Sequence, residues 1–244
     1  MFDLTGRTAL VTGAGQNIGA GIAKALARQG ATVVVNDLHA ERAEAMAARI
    51  STDTGATTLA APFDVTDHAA VSAGFADVPP VDILVNNAGI AESMTVTQFR
   101  DTDPDQWEGQ IRLNIQGVMN CCHAALDPMC ERGWGRIVPI SSGAGTMGSR
   151  FGIAPYSAGK GGGIGFMRAI AMEVARNGVT ANTVALGMMS TGDDEIDAGL
   201  GTKVPVGRIG TPDDVWPPVL WLASEEAAWV TGQTIEVNGG VHTT

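Results

Sequence analysis

Short apolar runs punctuate the chain at residues 7–12, 31–36, 57–63, 81–85, 136–140 and 179–185. They are too short for helices, and the β-branched run at 31–36 and the run at 136–140 read as strands buried on both faces. Longer stretches with apolar residues at helical spacing separate them. Residues 18–29 put Ile22, Ala25 and Leu26 on one stripe, residues 105–131 read as one long helix, and a later helix carries Tyr156 and Lys160. Strands alternating with helices predict an α/β fold built on a parallel sheet.

Composition narrows the picture. The 244 residues contain no Pro/Ser-rich linker and no charge block, so one domain spanning 1–244 is expected. A 45% hydrophobic fraction supplies a large core, and 32 glycines point to tight turns and close backbone approaches. With 26 acidic against 15 basic residues the net charge is −11, which argues against nucleic acid or an anionic membrane as partner. No apolar stretch approaches a membrane span and no leader pattern precedes the first strand, so a cytoplasmic protein is expected. Cys121, Cys122 and Cys130 lack the spacing of a disulfide framework or a zinc site, and adjacent His123 points away from them around the helix. No metal is expected.

The candidate chemistry centres on the chain's one tyrosine, Tyr156, four residues ahead of Lys160. At about 3.6 residues per helical turn the two share a face. An ammonium beside a phenol favours phenolate, so Tyr156 is expected to have its pKa lowered from about 10 toward neutrality and to serve as acid and base. Ser141 and Ser142 follow the 136–140 run and place a hydroxyl at the carboxyl edge of a strand, where open α/β sheets bind ligands. Near the start, Thr12-Gly13-Ala14-Gly15-Gln16-Asn17-Ile18-Gly19 sits between a strand and a helix, the setting of a phosphate-binding turn. Asp37 ends the second strand, 18 residues after Gly19. A carboxylate there accepts from both adenosine ribose hydroxyls and repels a 2′-phosphate, which favours NAD over NADP. Arg42 within reach weakens that preference, and Asp37 as a simple helix cap is the other reading.

Thr12 to Gly19, Asn86-Asn87-Ala88-Gly89, Asn114, Ser142 and the Tyr156/Lys160 pair, in that order, resemble the short-chain dehydrogenase/reductase family over residues 4–240. The resemblance implies a Rossmann-type, doubly wound parallel sheet of about seven strands with helices on both faces. It implies a catalytic set of Asn114, Ser142, Tyr156 and Lys160, with Asn114 kinking its helix and holding a water that links the lysine to solvent. It implies dinucleotide contacts from Gly13, Gln16, Asn17, Ile18 and Gly19, from Asp37, Asp64 and Val65, from Asn87, Ala88 and Gly89, from Tyr156 and Lys160, and from Gly187, Met189 and Thr191. Ser142, Met147, Tyr156 and Met188 would meet the substrate under a short lid at about 188–204. Family members associate through the Tyr156 helix and the long helix before it, so a homodimer or homotetramer is expected.

Several positions depart from the family pattern. Asn17 replaces a glycine of TG-x-x-x-G-x-G, which Asn tolerates because it accepts positive φ more readily than other side chains. Pro139 lies in a central strand, Ser142 and Tyr156 are 14 residues apart, one more than usual, and Leu186 replaces a proline. The resemblance also implies a closing helix and a last strand within residues 204–240, and Pro217 and Pro218 predict a late start or a kink in that helix. Gly161, Gly162, Gly163 and Gly165 in the Tyr156 helix predict close packing on another element, such as the same helix of a second subunit.

The activity implied is NAD-dependent interconversion of a secondary alcohol and a ketone on a hydrophobic small molecule. A 3-oxoacyl thioester reductase is the enzymatic alternative, for which Arg150 and Arg208 offer little basic surface. A dinucleotide-binding regulator is the non-catalytic alternative, and the intact set of four residues speaks against it. A serine hydrolase lacks its G-x-S-x-G elbow.

Overall fold

The computed structural model describes residues 1–90, 94–190 and 192–243. Its strands are β1 (Thr8–Val11), β2 (Thr32–Val35), β3 (Thr58–Ala60), β4 (Ile83–Val85), β5 (Gly135–Ile137), β6 (Ile140–Ser142), β7 (Val179–Ala181), β8 (Thr183–Leu186) and β9 (Thr234–Val237). Six of them form a parallel sheet in the order β3-β2-β1-β4-β5-β7, and β6-β8-β9 form a second parallel set. The division falls at Pro139, which has no N–H to give to the ladder. Hydrogen bonds nevertheless run through the break: Val138 N donates to Leu84 O (2.8 Å), Ile140 N to Asn86 O (2.9 Å), Asn182 N to Ile137 O (3.0 Å) and Val184 N to Pro139 O (3.0 Å). Read across it, β5/β6 and β7/β8 are two long strands, and the sheet is seven positions wide.

The helices are α1 (Asn17–Arg28), α2 (Ala40–Thr54), α3 (His68–Ala76), α4 (Trp107–Ile111), α5 (Gly117–Arg132), α6 (Gly143–Thr146), α7 (Ala154–Val174), α8 (Asp194–Gly201) and α9 (Pro212–Leu222). They cover both faces of the sheet. Ala9 and Val11 of β1 point into a core shared with α1, α2 and α9, while Leu10 between them points into one shared with α3, α5 and α7. Period-two alternation of a strand that is apolar on both sides builds the two cores.

One expectation about helices is corrected and two are made specific. The long helix expected over 105–131 runs from α4 through a π-helical turn at Arg112–Gln116 into α5, and that turn holds Asn114, the residue at which a kink was expected. The closing helix does not start late; it begins at Pro212, with Thr211 and Asp214 forming a capping box, and runs on through Pro217 and Pro218. The close packing expected of the α7 glycines is present, and for four of them it is made by elements of this chain. A Cβ on Gly159 would lie 2.8 Å from Gln110 O, one on Gly162 2.6 Å from Ile115 Cδ1, and one on Gly163 3.1 Å from Asn114 O. Gly161 meets Gly145 of α6, and Gly165 faces open space.

Candidate active site

The phosphate-type turn is built from backbone constraint. Gly13 has φ 60° and Asn17 φ 49°, so the asparagine adopts the left-handed conformation its side chain tolerates. Gln16 caps α1 in an extended conformation without a side-chain bond, leaving the first N–H groups of the helix free of side-chain acceptors. A Cβ on Gly19 would lie 2.4 Å from Gly13 O and 2.6 Å from Asn87 Nδ2, so only glycine lets α1 sit this close to the turn. Asn87 ties the turn to the end of β4 by donating to Thr12 O (2.9 Å) and Gly13 O (3.1 Å), and the Asn87 and Ala88 N–H groups donate to Thr12 Oγ1. A helix N-terminus with free donors, beside backbone that no side chain blocks, suits a pyrophosphate.

Asp37 stands buried at the end of β2, accepting from Gly15 N and His39 N, each at 3.1 Å. The N-cap of α2 is His39, so Asp37 supports the turn before that helix and does not cap it. A Cβ on Gly15 would meet Asp37 Oδ2 at 2.6 Å and Arg42 Cβ at 2.7 Å, which places carboxylate and arginine stem together over the turn. Asp64 accepts from Thr66 N, and the Val65 carbonyl accepts from Asn120 Nδ2. Gly187 ends β8 against Asn238, and Met189 pairs with Gly210 in an isolated parallel bridge. Thr191 lies outside the described residues.

Ser142, Tyr156, Lys160 and Asn114 come together at the carboxyl end of β6. Ser142 ends that strand and accepts from Ala144 N to start α6, while its hydroxyl also bonds Tyr156. Ser142 holds this place despite Pro139 and the longer connection to Tyr156, and α6, which follows it, packs against α7. Lys160 is buried, with Nζ donating to Ile140 O (2.7 Å) and lying 5.7 Å from the Tyr156 ring centroid. A Cβ on Gly89 would be 2.3 Å from Lys160 Nζ and 3.1 Å from Asn114 Oδ1, so the ammonium and the amide oxygen converge over that glycine. Asn114 Nδ2 donates to Gln110 O (3.0 Å), occupying the carbonyl one turn back, where the helix widens into its π turn.

Electrostatics correct one expectation. The Tyr156 pKa is raised above 10.0, not lowered: burial of the phenol outweighs the bond from Ser142, which alone favours phenolate. Lys160 is itself desolvated, which brings its pKa from 10.5 down to about 8, and its ammonium is held by Ile140 O. Helical spacing put the two groups on one face without saying where the lysine head would bond.

A small cavity touches Tyr156, lined by Met94, Trp107, Gln110, Ile153 and Pro155 among others. Neither Met147 nor Met188 lines it: Met147 is exposed above Gly143, and Met188 lines a pocket with Val204, Val206 and Val237. Gln110 escaped the sequence reading. Its one signal was an amide four residues ahead of Asn114, on the helix face turned inward.

Cys121 and Cys122 are buried free thiols, Cys122 pushed up to about 12 by burial. His123 makes an edge contact with His68, and no group of three metal-ligating side chains occurs among the described residues. No helix among the described residues is long and apolar enough to cross a membrane.

Comparison with known proteins agrees with this geometry. The profile of the family described as short chain dehydrogenase matches residues 7–196. The chain is 39% identical over 250 residues to 3-oxoacyl-[acyl-carrier-protein] reductase FabG of Escherichia coli (strain K12), covering 99% of each. It is 38% identical over 244 residues to acetoacetyl-CoA reductase of Shinella zoogloeoides, covering 96% of this chain and 98% of that one. Its fold superposes with a TM-score of 0.90 and 37% identity on a gluconate 5-dehydrogenase from Burkholderia cenocepacia J2315 in complex with NADP and tartrate, over 98% of this chain and 96% of that one.

Proposed function

The chain belongs to the short chain dehydrogenase family, NAD(P)-dependent oxidoreductases that act on CH–OH groups, and from that premise we propose that it interconverts a secondary alcohol and a ketone on an apolar small molecule, with NAD(H) as preferred cofactor. The observation that carries the reading is the meeting of Ser142, Tyr156, Lys160 and Asn114 at the carboxyl edge of the sheet, beside a turn suited to a pyrophosphate. The turn from Gly13 to Gly19, Asp37, Asp64, Val65, Asn87 to Gly89, Gly187 and Met189, together with Thr191, would hold the dinucleotide. When bound, its nicotinamide accepts or supplies the hydride.

In reduction the Tyr156 phenol gives its proton to the substrate oxygen; in oxidation its phenolate, the minor form at neutral pH because burial raises the pKa, takes the hydroxyl proton, and Ser142 Oγ holds the substrate oxygen in line with it. Lys160 would hold the nicotinamide ribose, and Asn114 near it would complete a path for the proton toward solvent. The carboxylate of Asp37 supports NAD(H). Exposed Ile90, Val96, Phe99, Met147 and Phe151 in the loops beyond β4 and β6 support an apolar substrate, admitted under the segment 188–204 that includes α8. Exposed Met119 on α5 and Met172 on α7 support a dimer or tetramer assembled through those helices.

The similarity to FabG favours a second reading, reduction of a 3-oxoacyl thioester. A phosphopantetheine arm calls for free cations at the mouth, and Arg208 is held bidentately by Asp214, with both bonds at 2.7 Å. A panel of apolar secondary alcohols, sugar acids and 3-oxoacyl thioesters, assayed with NAD⁺, NADH, NADP⁺ and NADPH, tests both. Higher kcat/KM for apolar alcohols or ketones with the unphosphorylated cofactor is expected; preference for thioesters with NADPH would replace the first reading by the second.

A further inference from the structure

We propose that Gln110 is a positioning residue of this site: it grips the carboxamide nitrogen of Asn114 and so directs Asn114 Oδ1 at Lys160. The inference rests on the oxidoreductase reading above and adds to it a residue that lies outside the set of four. Gln110 sits on α4, one turn ahead of Asn114, and is only 3% exposed. Its main-chain oxygen accepts from Asn114 Nδ2 at 3.0 Å and its side-chain Oε1 lies 3.5 Å from the same nitrogen. Both acceptors address the nitrogen end of that amide, which leaves the oxygen end pointing the other way.

An asparagine amide offers a donor at one end and an acceptor at the other, and only the acceptor attracts an ammonium. Asn114 Oδ1 is buried and has no partner among the described residues, and it converges with Lys160 Nζ over Gly89. From α7, Gly159 packs closely against both residues: a Cβ there would fall 2.8 Å from Gln110 O and 2.9 Å from Asn114 Cβ. The groups facing Lys160 are Tyr156 on its own helix, the Ile140 carbonyl from β6 and Asn114 from the π turn; Tyr156 is the titratable one. Gln110 also carries a cost, because its Nε2 is buried without a partner, which an apolar side chain of equal length would avoid. Its place beside the Tyr156 cavity makes sense if the oxygen end is what this site needs.

The test uses Gln110→Met, which keeps length and removes both amide atoms, and Gln110→Glu, which keeps an acceptor for Asn114 Nδ2. The full-length protein with 13Cε-labelled lysine reports Lys160 without any substrate; it is one of three lysines, assigned by its disappearance in Lys160→Met. Gln110→Met keeps the main-chain bond to Asn114 Nδ2 and removes only the side-chain one; the amide is then free to turn its oxygen away from the ammonium, so Lys160 in Gln110→Met should titrate lower than in the wild type, and Gln110→Glu should restore or raise it. In turnover, Gln110→Met should lower kcat about fivefold, the worth of one modest hydrogen bond, with the KM for cofactor unchanged and recovery in Gln110→Glu. A folded Gln110→Met with wild-type lysine titration, or one whose kcat and cofactor KM worsen together and stay so in Gln110→Glu, overturns the proposal. Absence of turnover in the wild type would instead overturn the oxidoreductase reading, while the lysine titration still decides the role of Gln110.

Discussion

Replacing Lys160 by methionine should make the protein more stable at neutral pH while abolishing its activity. The lysine is buried, and its pKa in the fold is about 8 against 10.5 for a free side chain. Between those values the unfolded chain holds a proton that the folded chain has given up, so this group's contribution to stability rises with pH. Below about pH 8 the folded protein carries a desolvated ammonium, and the gap from 10.5, at about 1.4 kcal/mol per pH unit, costs roughly 3 kcal/mol. Methionine has a similar length and no charge, but it leaves Ile140 O without the 2.7 Å bond from Nζ, a loss of about 1 kcal/mol. The net gain at pH 7 is therefore roughly 2 kcal/mol, or about 4–8 °C in melting temperature for a chain of this size. By pH 10.5 the lysine is neutral in the fold and half neutral unfolded, so the advantage should vanish. Urea unfolding of both proteins at several pH values between 7 and 10.5 measures this. A Lys160→Met variant less stable than wild type at pH 7, or a stability difference that does not change with pH, would refute the reasoning that burial sets the lysine's pKa.

Tyr156→Phe should reduce kcat by at least a hundredfold, the usual worth of a general acid or base, while cofactor binding by fluorescence titration stays within about twofold; a variant with wild-type rate would remove the tyrosine from the mechanism. Because the chain has a single tyrosine, ultraviolet titration of the cofactor-free protein reads its ionisation directly, and its midpoint should lie above that of a free tyrosine; ionisation near neutrality would contradict the dominance of burial. Gly19→Ala forces a methyl group to within 2.4 Å of Gly13 O, so a loss of about 1–3 kcal/mol in stability and a marked weakening of dinucleotide binding are expected, measured by thermal melting and titration calorimetry. An alanine variant that binds as tightly as wild type would show that the turn can shift away from α1.

The chain's own order of residues determined the elements and the candidate chemistry. Apolar runs such as 31–36 announced buried strands because burial on both faces leaves no polar phase to hide them, and Asn17 was readable as a left-handed position because few other side chains accept one. Tyr156 and Lys160 could be placed on one helix face from spacing alone. Tertiary structure decided whatever depends on contacts between distant segments. Whether a phenol's pKa rises or falls depends on how deeply it is buried and where the neighbouring ammonium bonds, and the partner of Lys160 is a carbonyl twenty residues away in β6. The glycines of α7 announced a close approach, but only the fold showed that α6 and the π turn of the same chain make it. Gln110 looked like any polar residue on a long helix until that helix widened at Asn114 and turned the amide into the core, since periodicity records which face is apolar and not which buried polar groups meet there.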